Sequence, residues 1–299
     1  MILIADSGST KTAWCLVDEN GRTNEFETEG YNPCYPGSER LQDILTPNLP
    51  SCFDWNKVET VAFYGAGVYE EKYSQIQDAL ISVFPNAQID AAMDLMGSAR
   101  ALLNRNSGFA AILGTGSNSC LYDGKNIVHY IDSLGFMLGD EGSGGYMGKR
   151  LIGDYIRGYM PEDVRKMFHE TYPLTHEELI ENIYSNPMPN RYCASFTRFL
   201  TGEYAGHEYL EQHVIRDSFR DFFRNIVCRY PDYKEYSFNS VGSVGWIFKD
   251  RLSDVTKEFG MEPGNIISNP MEGLIEYHEV IQTSYTKFIN NANQGLKIR

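Results

Sequence analysis

The sequence lacks the features that mark several common classes of protein. Its 299 residues contain no C-x-x-C pair, and the six cysteines are widely scattered. That spacing argues against a disulfide framework or a zinc ribbon and suits a reducing cytosol. No apolar run approaches the roughly 20 residues of a membrane span, and the apolar start at residues 2–5 is too short and too uncharged for a signal peptide. We therefore expect a cytoplasmic protein that does not bind membranes.

Positive charge is also scarce. Lys and Arg number 26 against 40 Asp and Glu, which gives a formal net charge of −14, and the chain contains no basic run. Such a chain is a poor ligand for nucleic acids and for anionic membranes. If it binds an anion, it must do so with local hydrogen-bond donors or with a metal ion.

Several catalytic motifs are missing as well. The sequence contains no G-x-x-x-x-G-K-[ST], G-x-G-x-x-G, H-E-x-x-H or G-x-S-x-G, and the nearest miss to the first is Gly148-Lys149-Arg150. The six histidines show no metal-ligand spacing, so each is expected at the surface or beside a tyrosine.

The composition, with 42% apolar and 13% aromatic residues, is that of a globular protein. The chain is long enough for two domains. The chain opens with two short apolar runs, residues 2–5 and 13–17, joined by small polar residues, a pattern typical of a β-hairpin. Because the residues of this turn are small, its backbone N–H groups can contact a bound anion, and Asp6 lies beside the turn as a possible metal ligand. The alternative is an ordinary hairpin whose Asp and Ser side chains satisfy their own turn.

A second hairpin repeats this pattern further along the chain. An apolar run at 109–113, a small polar turn at 114–118 and a returning run at 119–122 place Gly116 and Ser117 108 residues after Gly8 and Ser9. We interpret this as an internal repeat, which predicts two α/β units. The predicted strands and helices outside the hairpins are strands at 23–28, 58–64, 87–91, 238–241 and 265–267, and helices at 38–45, 70–84, 95–103, 143–159, 176–184, 191–200, 208–229, 246–260 and 274–290.

The turns of the two hairpins could bind one ligand together. Two turns of Gly, Ser and Thr could hold a polyphosphate between them with many neutral donors, and Mg²⁺ would supply the positive charge that an acidic chain lacks. Asp6 would hold that ion through waters, because Mg²⁺ loses its hydration shell reluctantly.

Four segments resemble the actin–hexokinase–sugar kinase clan. Residues 6–12 (DSGSTKT) look like its first phosphate loop, and residues 114–118 (GTGSN) look like its second. Residues 138–144 (LGDEGSG) are similar to a segment of N-acetylglucosamine kinases and of the BadF/BcrA-type ATPase family, and residues 241–245 (VGSVG) are similar to the adenosine loop. The segments occur in family order and span nearly the whole chain.

The resemblance implies two RNase H-like (actin-like ATPase) domains, residues 1–107 and 108–299, with the active-site cleft between them and the last helix packing back on the first domain. It also implies ATP and Mg²⁺ as cofactors, and the ATP-binding residues would be Ser7, Gly8, Ser9, Thr10, Lys11, Thr115, Gly116, Gly242 and Ser243. The sugar-binding residues would be Asn32, Asp94, Thr115, Asn118, Gly135 and Asp140. Sugar kinases of this kind are often dimers, and the aromatic content permits a homodimer.

Asp94 matches the family's general base, since a carboxylate within reach of a sugar hydroxyl can take its proton. The alternative is that Asp94 only caps the helix that follows it, and both roles can hold at once. Asn32 precedes a proline and is equally well interpreted as a turn residue, and Asp140 could simply open the following helix.

The resemblance therefore predicts a kinase that transfers the γ-phosphate of ATP to the 6-hydroxyl of an N-acetylated amino sugar. Gly135-Phe136 stands where the animal enzymes carry tryptophan, and residues 64–67 replace a serine-rich sugar loop, so the sugar could be N-acetylglucosamine or a bulkier relative such as N-acetylmuramic acid. The alternative is a regulatory ATPase of the BadF type that acts on a protein partner. The related dehydratase activators need cysteines for an iron–sulfur cluster, whereas Cys15 and Cys120 are predicted to be small core residues.

Overall fold

The structure is a computed structural model that describes residues 1–8, 11–18, 20–33, 41–185, 187–202 and 204–278. It contains two five-stranded sheets with helices, which confirms the predicted α/β class. The chain divides into two compact units. Unit 1 comprises Met1–Asn106, Gly124–Asn126 and the described chain from Pro270, and unit 2 comprises Ser107–Asp123 and Ile127–Asn269. The finer division into domains 1–107 and 108–299 stays a prediction.

The sheet of unit 1 is built around the opening strand. Its strands, in the order β3-β2-β1-β4-β5, are β1 (Ile2–Ser7), β2 (Lys11–Val17), β3 (Thr23–Glu29), β4 (Thr60–Gly65) and β5 (Gln88–Met93). β1 pairs antiparallel with β2 and parallel with β4, which pairs parallel with β5. Leu3 and Ala5 belong to one hydrophobic core, and Ile2 and Ile4 belong to another on the opposite face. Because both faces of β1 are covered, its sequence is an unbroken apolar run.

The sheet of unit 2 repeats this arrangement. Its strands, in the order β10-β9-β6-β7-β8, are β6 (Gly108–Leu113), β7 (Ser117–Tyr122), β8 (Ile127–Tyr130), β9 (Ser237–Val241) and β10 (Glu262–Ile267). β6 pairs antiparallel with β7 and parallel with β9, just as β1 pairs with β2 and β4. The internal repeat predicted from the two hairpins is therefore confirmed in the strand order and direction.

Helices make up most of the remainder. The α-helices are α1 (Leu41–Leu45), α2 (Tyr73–Val83), α3 (Asp94–Leu103), α4 (Gly135–Leu138), α5 (Gly144–Arg157), α6 (Glu162–Thr171), α7 (His176–Tyr184), α8 (Pro189–Ser195), α9 (Asp217–Asn225), α10 (Ser243–Ile247) and α11 (Lys249–Glu258). Residues 271–278 are also helical, and the rest of the helix predicted to reach residue 290 lies outside the described residues. Among the described helices, none combines the length and the apolar character that crossing a membrane requires.

The structure differs from the sequence-based expectation in several helices. The single helix expected at 208–229 is a π-helical segment, Leu210–Arg216, followed by α9 and a 3-10 turn, Val227–Arg229. The wider π turn lets Leu210 and Ile215, five residues apart, both be buried, which α-helical spacing would not favour. Strand β8 and helix α6 were not predicted as separate elements, because β8 is short and largely exposed and α6 has only two buried residues.

One face of the first sheet carries a buried polar network. The hydroxyl of Tyr64 lies 2.8 Å from Nε2 of His278 and accepts a hydrogen bond of 2.7 Å from the Arg100 guanidinium, which also pairs with Asp90 at 2.9 Å. With Arg100 donating to the oxygen of Tyr64, the hydroxyl hydrogen is free to be donated to a neutral His278. Burial lowers the pKa of His278 to about 4, and Arg100 and Arg105 lower it further while Asp90 opposes the shift.

We predict that His278 makes the protein less stable as the pH falls. The unfolded histidine takes up a proton below pH 6.5, whereas the folded one stays neutral down to about pH 4, so stability is lost through this window. The contribution amounts to about 3 kcal/mol between pH 7 and pH 4. Denaturant unfolding across this range should show a shallower loss for His278→Gln than for the wild type. His129→Gln, which changes an exposed histidine, should keep the wild-type slope; equal slopes in all three proteins would contradict the prediction.

Candidate functional site

The register of three parallel strands in unit 1 defines one edge of the sheet. Ser7 is paired with Gly65, and Gly65 is paired with Met93, so β1, β4 and β5 all end at the same level. The segments that follow, the hairpin turn after Ser7, the loop after Gly65 and the start of α3 at Asp94, therefore leave the sheet together. Ligands of α/β proteins generally bind at such an edge, beyond the carboxyl ends of the strands.

The hairpin turn itself is partly described. The Gly8 N–H donates to the Lys11 carbonyl at 3.0 Å, and Ser9 and Thr10 lie outside the described residues. Lys11 is exposed and its ammonium forms an ion pair with Glu27 on β3. The phosphate-binding role predicted for Lys11 would therefore require that exposed pair to open, which costs little at the surface.

The Ser7 hydroxyl forms hydrogen bonds within the protein interior. Its side chain is completely buried, donates to the Tyr31 carbonyl at 3.1 Å and lies 2.8 Å from the Thr12 hydroxyl. The Thr12 hydroxyl also lies within hydrogen-bonding distance of the Glu29 carbonyl, at 3.3 Å. This pair of hydroxyls joins both strands of the first hairpin to the turn that carries Asn32. The Ser7 side chain is thus a structural link, and its main-chain carbonyl accepts from the Ala66 N–H at 3.0 Å.

Asn32 lies against the loop after β4. A Cβ atom on Gly67 would stand 2.2 Å from Oδ1 of Asn32, and Gly67 has a φ of +74°. Both the close approach and the left-handed conformation require glycine at this position. The structure thus brings the predicted sugar residue Asn32 to the same sheet edge as Ser7.

Two carboxylates share this edge. Burial raises the pKa of Asp6 to about 7, and repulsion by Asp94 adds to the shift while Lys11 opposes it. Burial raises the pKa of Asp94 to about 6, against the hydrogen bond from the Leu95 N–H. Desolvation of Asp94 therefore has a larger effect on its pKa than the hydrogen bond at the start of α3. Two partly buried carboxylates that repel each other form a site that favours a cation.

Asp94 occupies the position at which both of its predicted roles are available. It is the first residue of α3, directly after β5, and its Oδ1 accepts a hydrogen bond of 2.8 Å from the Leu95 N–H. The Asp94 side chain remains partly exposed. Asp94 can therefore hold the first turn of α3 and still accept a proton.

In unit 2, the second hairpin turn is attached to the start of α5. The Gly144 N–H donates to the Gly114 carbonyl at 2.8 Å, and the Gly145 N–H donates to the Thr115 carbonyl at 3.0 Å. The hydroxyl of Ser117, at the end of the turn, is buried and has no hydrogen-bond partner in the described part of the chain. A buried donor left unpaired beside Thr115 and Gly116 is suited to a bound polar group.

Asp140 lies directly beside this turn. Its Oδ1 accepts from the Ser117 N–H at 3.2 Å, and a Cβ on Gly116 would stand 3.0 Å from its Oδ2. Burial raises its pKa, and Lys149 acts in the opposite direction. Asp140 is not part of a helix first turn, because it has a φ of +57° and α5 begins at Gly144. The structure thus brings Thr115, Gly116 and Asp140 together.

The remaining predicted residues of unit 2 are placed as follows. Asn118 is partly buried on β7, where its Oδ1 accepts from the Ser119 N–H at 2.9 Å. Gly135 has a φ of +66° at the start of α4, with open space around it. Gly242 has a φ of +130°, and a Cβ there would stand 2.4 Å from the Leu113 carbonyl oxygen at the end of β6. Ser243 follows as an exposed residue that begins α10.

Sequence reasoning missed Lys149 as a member of this group. Its ammonium donates to the Phe136 carbonyl at 2.6 Å and lies 4.8 Å from the centre of the Phe136 ring. Burial lowers its pKa, while the charge of Asp140 opposes that shift. The signal in the sequence was Gly148-Lys149-Arg150, which was considered only as an incomplete phosphate-binding motif. Lys149 ties the segment after Gly135 to α5.

The two hairpin cysteines are core residues, as predicted. Cys15 on β2 and Cys120 on β7 are both buried free thiols. Burial raises their pKa values to about 11 and about 12, so both stay protonated. A protonated, enclosed thiol is a poor ligand for an iron–sulfur cluster.

Comparison with solved structures gives several matches. A candidate N-acetylglucosamine kinase from Porphyromonas gingivalis is 38% identical with a TM-score of 0.84, over 93% of this chain and 98% of that one. A candidate N-acetylglucosamine kinase from Chromobacterium violaceum is 16% identical with a TM-score of 0.64, over 92% and 98%. A ROK family glucokinase from Streptomyces griseus, in complex with glucose and AMPPNP, is 15% identical with a TM-score of 0.54, over 93% and 98%. At these lower identities the last two show a shared fold alone.

No family model matches the chain, and no curated protein matches it.

We predict that Ser7→Ala destabilises the protein by about 1–3 kcal/mol, because it leaves a buried carbonyl without its donor. Ser253→Ala is the matched control, since Ser253 donates to the Lys249 carbonyl at 2.7 Å but is exposed, so that water replaces the lost bond. Its effect should stay within about 0.5 kcal/mol. Urea unfolding measures both changes. If the two variants lose the same stability, the link through Ser7 does not exist.

Proposed function

This chain belongs to the N-acetylglucosamine kinase-like family of the actin–hexokinase–sugar kinase clan, and on that basis we propose that it is an ATP-dependent sugar kinase. The proposed reaction transfers the γ-phosphate to the 6-hydroxyl of an N-acetylated amino sugar, N-acetylglucosamine or a relative such as N-acetylmuramic acid. The single observation that carries the proposal is the 38% identity to a candidate N-acetylglucosamine kinase over almost the full length of both chains.

ATP would be bound with neutral donors rather than with a positive field. The first turn, with Gly8, Ser9 and Thr10, and the second turn, with Thr115 and Gly116, would contact the phosphates. Backbone N–H groups in tight turns form anion sites without any net charge, which is compatible with a chain of net charge −14. Gly242 and Ser243, which follow β9 at the start of α10, would contact the nucleoside.

Asp6 would hold the Mg²⁺ ion. The described residues contain no group of three or more acidic, His or Cys side chains that could form a complete protein cage. Mg²⁺ is commonly held by one or two carboxylates together with phosphate oxygens and waters, so a single partly buried carboxylate fits. The bound ion would neutralise the charge of the phosphates, and it would also remove the electrostatic cost of placing Asp6 near Asp94.

Asp94 would act as the general base. Its carboxylate would accept the proton of the 6-hydroxyl as that oxygen forms a bond to the γ-phosphorus. The bond between the γ-phosphorus and the oxygen that bridges it to the β-phosphate breaks in line, and the bridging oxygen leaves with ADP. A pKa of about 6 leaves the carboxylate mostly ionised at neutral pH and close to the optimum for proton transfer.

The sugar would be recognised by buried polar groups. Asn32 in unit 1 and Asn118 and Asp140 in unit 2 would hydrogen-bond the hydroxyl and acetamido groups, and Gly135 would leave space beside the ring. Buried polar groups discriminate strongly, because a ligand that lacks the matching partner leaves them unpaired.

A sugar panel tests the proposed activity. ADP release should rise well above basal hydrolysis with N-acetylglucosamine or N-acetylmuramic acid, and glucose should stimulate it much less, because it leaves the acetamido contacts unpaired. The measurement is a coupled ADP assay with each sugar at several concentrations, and phosphorylation at carbon 6 is checked by NMR of the product. If no sugar stimulates ADP release, the kinase proposal fails.

We predict that Asp94→Asn lowers kcat by about 10²–10⁴ with little change in KM for the sugar, because the amide cannot accept the proton. Asn can still accept the hydrogen bond from the Leu95 N–H, and loss of a buried charge should raise the melting temperature. Steady-state kinetics and thermal unfolding measure the two effects. A variant that keeps kcat within about threefold would show that Asp94 serves only the helix.

A further inference from the structure

Unit 2 contains a cavity that none of the roles described above involves. Its volume is about 560 Å³, and it lies among the end of α5, helix α6 and the start of α7. The residues that line it are Tyr155, Ile156, Arg157, Gly158, Glu162, Arg165, Lys166, His169 and His176. A volume of this size is within the range of small-molecule sites.

The cavity is remote from the candidate site of unit 2. Helix α5 begins at Gly144, which is bonded to the second hairpin turn, and the cavity lies at its other end, beyond Tyr155. The 14 residues of α5 separate the two places by about 20 Å along the helix axis. A ligand at one end of α5 therefore does not touch the residues at the other end.

The floor of the cavity is aromatic. Tyr155 is buried, and its hydroxyl lies 2.9 Å from Nδ1 of His169. The His176 ring meets the Tyr155 ring edge-on, with centroids 5.2 Å apart. These contacts hold two imidazoles beside one phenol ring, so that aromatic rings with polar atoms at their edges line the cavity.

The cavity rim carries two arginines that form no ion pair in the described part of the chain. Acidic residues outnumber basic ones by 40 to 26, so a surface arginine of this protein is expected to form an ion pair with an acidic side chain. The helices of unit 2 follow that expectation at five arginines, which form ion pairs with acidic side chains: Arg150, Arg216, Arg220, Arg224 and Arg251. Within the described ranges, Arg157 and Arg165 form no ion pair, and Lys166 has only Glu170 at 4.0 Å.

The charge at the rim suits an anion. Arg157 and Arg165 contribute two positive charges, the charge of Lys166 is opposed by Glu170, and Glu162 contributes one negative charge. The net charge is about +1. Guanidinium groups bind phosphate oxygens in a bidentate manner, which makes arginine the preferred residue for phosphate recognition.

We propose that this cavity is a binding site for a small phosphate monoester, separate from the proposed ATP and sugar sites. Arg157 and Arg165 bind the phosphate group, and the Tyr155, His169 and His176 surface contacts the organic group that carries it. The proposal depends on the rim charges and the floor of this cavity, and it does not require the kinase activity.

The test is calorimetric titration with phenyl phosphate, whose ring fits the aromatic floor, at constant ionic strength. Replacing both rim arginines, Arg157→Gln with Arg165→Gln, should weaken binding by about tenfold or more. Arg198→Gln with Arg229→Gln is the matched control, since both are exposed arginines without an ion pair in the described chain and neither lines the cavity. The control should bind as the wild type does, and Glu162→Gln should bind severalfold more tightly because it removes the negative charge at the rim.

Three results would overturn the proposal. Equal affinity for the wild type and the rim variant would place the anion elsewhere, and equal weakening in both double variants would indicate a general charge effect. Inorganic phosphate that binds as tightly as phenyl phosphate would assign the site to the free ion. Melting temperatures of all variants identify any that fail to fold, and the single variant Glu162→Gln tests the charge at the rim with both arginines retained.

Discussion

The feature on which the rest of unit 1 depends is the parallel register of β1, β4 and β5. That register makes Ser7, Gly65 and Met93 end at one level. Because the strands end together, a hairpin turn, a glycine-rich loop and a helix start are presented at one edge, although they are separated by up to about 90 residues of sequence. The buried hydroxyls of Ser7 and Thr12 extend this arrangement to Tyr31 and so place Asn32 against Gly67.

The charged side chains of the candidate site residues have different surroundings from the arginines on the helices of unit 2. Burial raises the pKa values of Asp6 and Asp94 in unit 1 and of Asp140 in unit 2, so the fold keeps these carboxylates where their ionised forms are costly. On the helices of unit 2, five arginines are paired with acidic side chains, and such pairs contribute little to stability at the surface. Carboxylates held in an unfavourable environment are typical of functional sites, since a cation or a proton in transfer can relieve them.

The sequence predicted well where one local pattern was sufficient. The apolar runs that form β1 and β6, the capping box of Thr175 and Glu178, and the two hairpins could all be recognised from neighbouring residues. It predicted poorly where packing decided, as in the π-helical segment before α9, or where few residues are buried, as in α6. The role of Ser7 could not be predicted either, because only its position relative to Tyr31, 24 residues away, shows that its hydroxyl is occupied.

The sequence by itself determined the two hairpins, their repeat, and an acidic composition that leaves anion binding to local donors. It also contained the four segments that identify the clan, because a turn of small residues after an apolar strand is a local property of the chain. Only the tertiary structure decided which of those residues meet: Asp140 with Gly116, Asn32 with Gly67, and Asp6 with Asp94. It alone also shows Arg157 and Arg165 without acidic partners beside a cavity, because pairing depends on side chains that are distant in sequence.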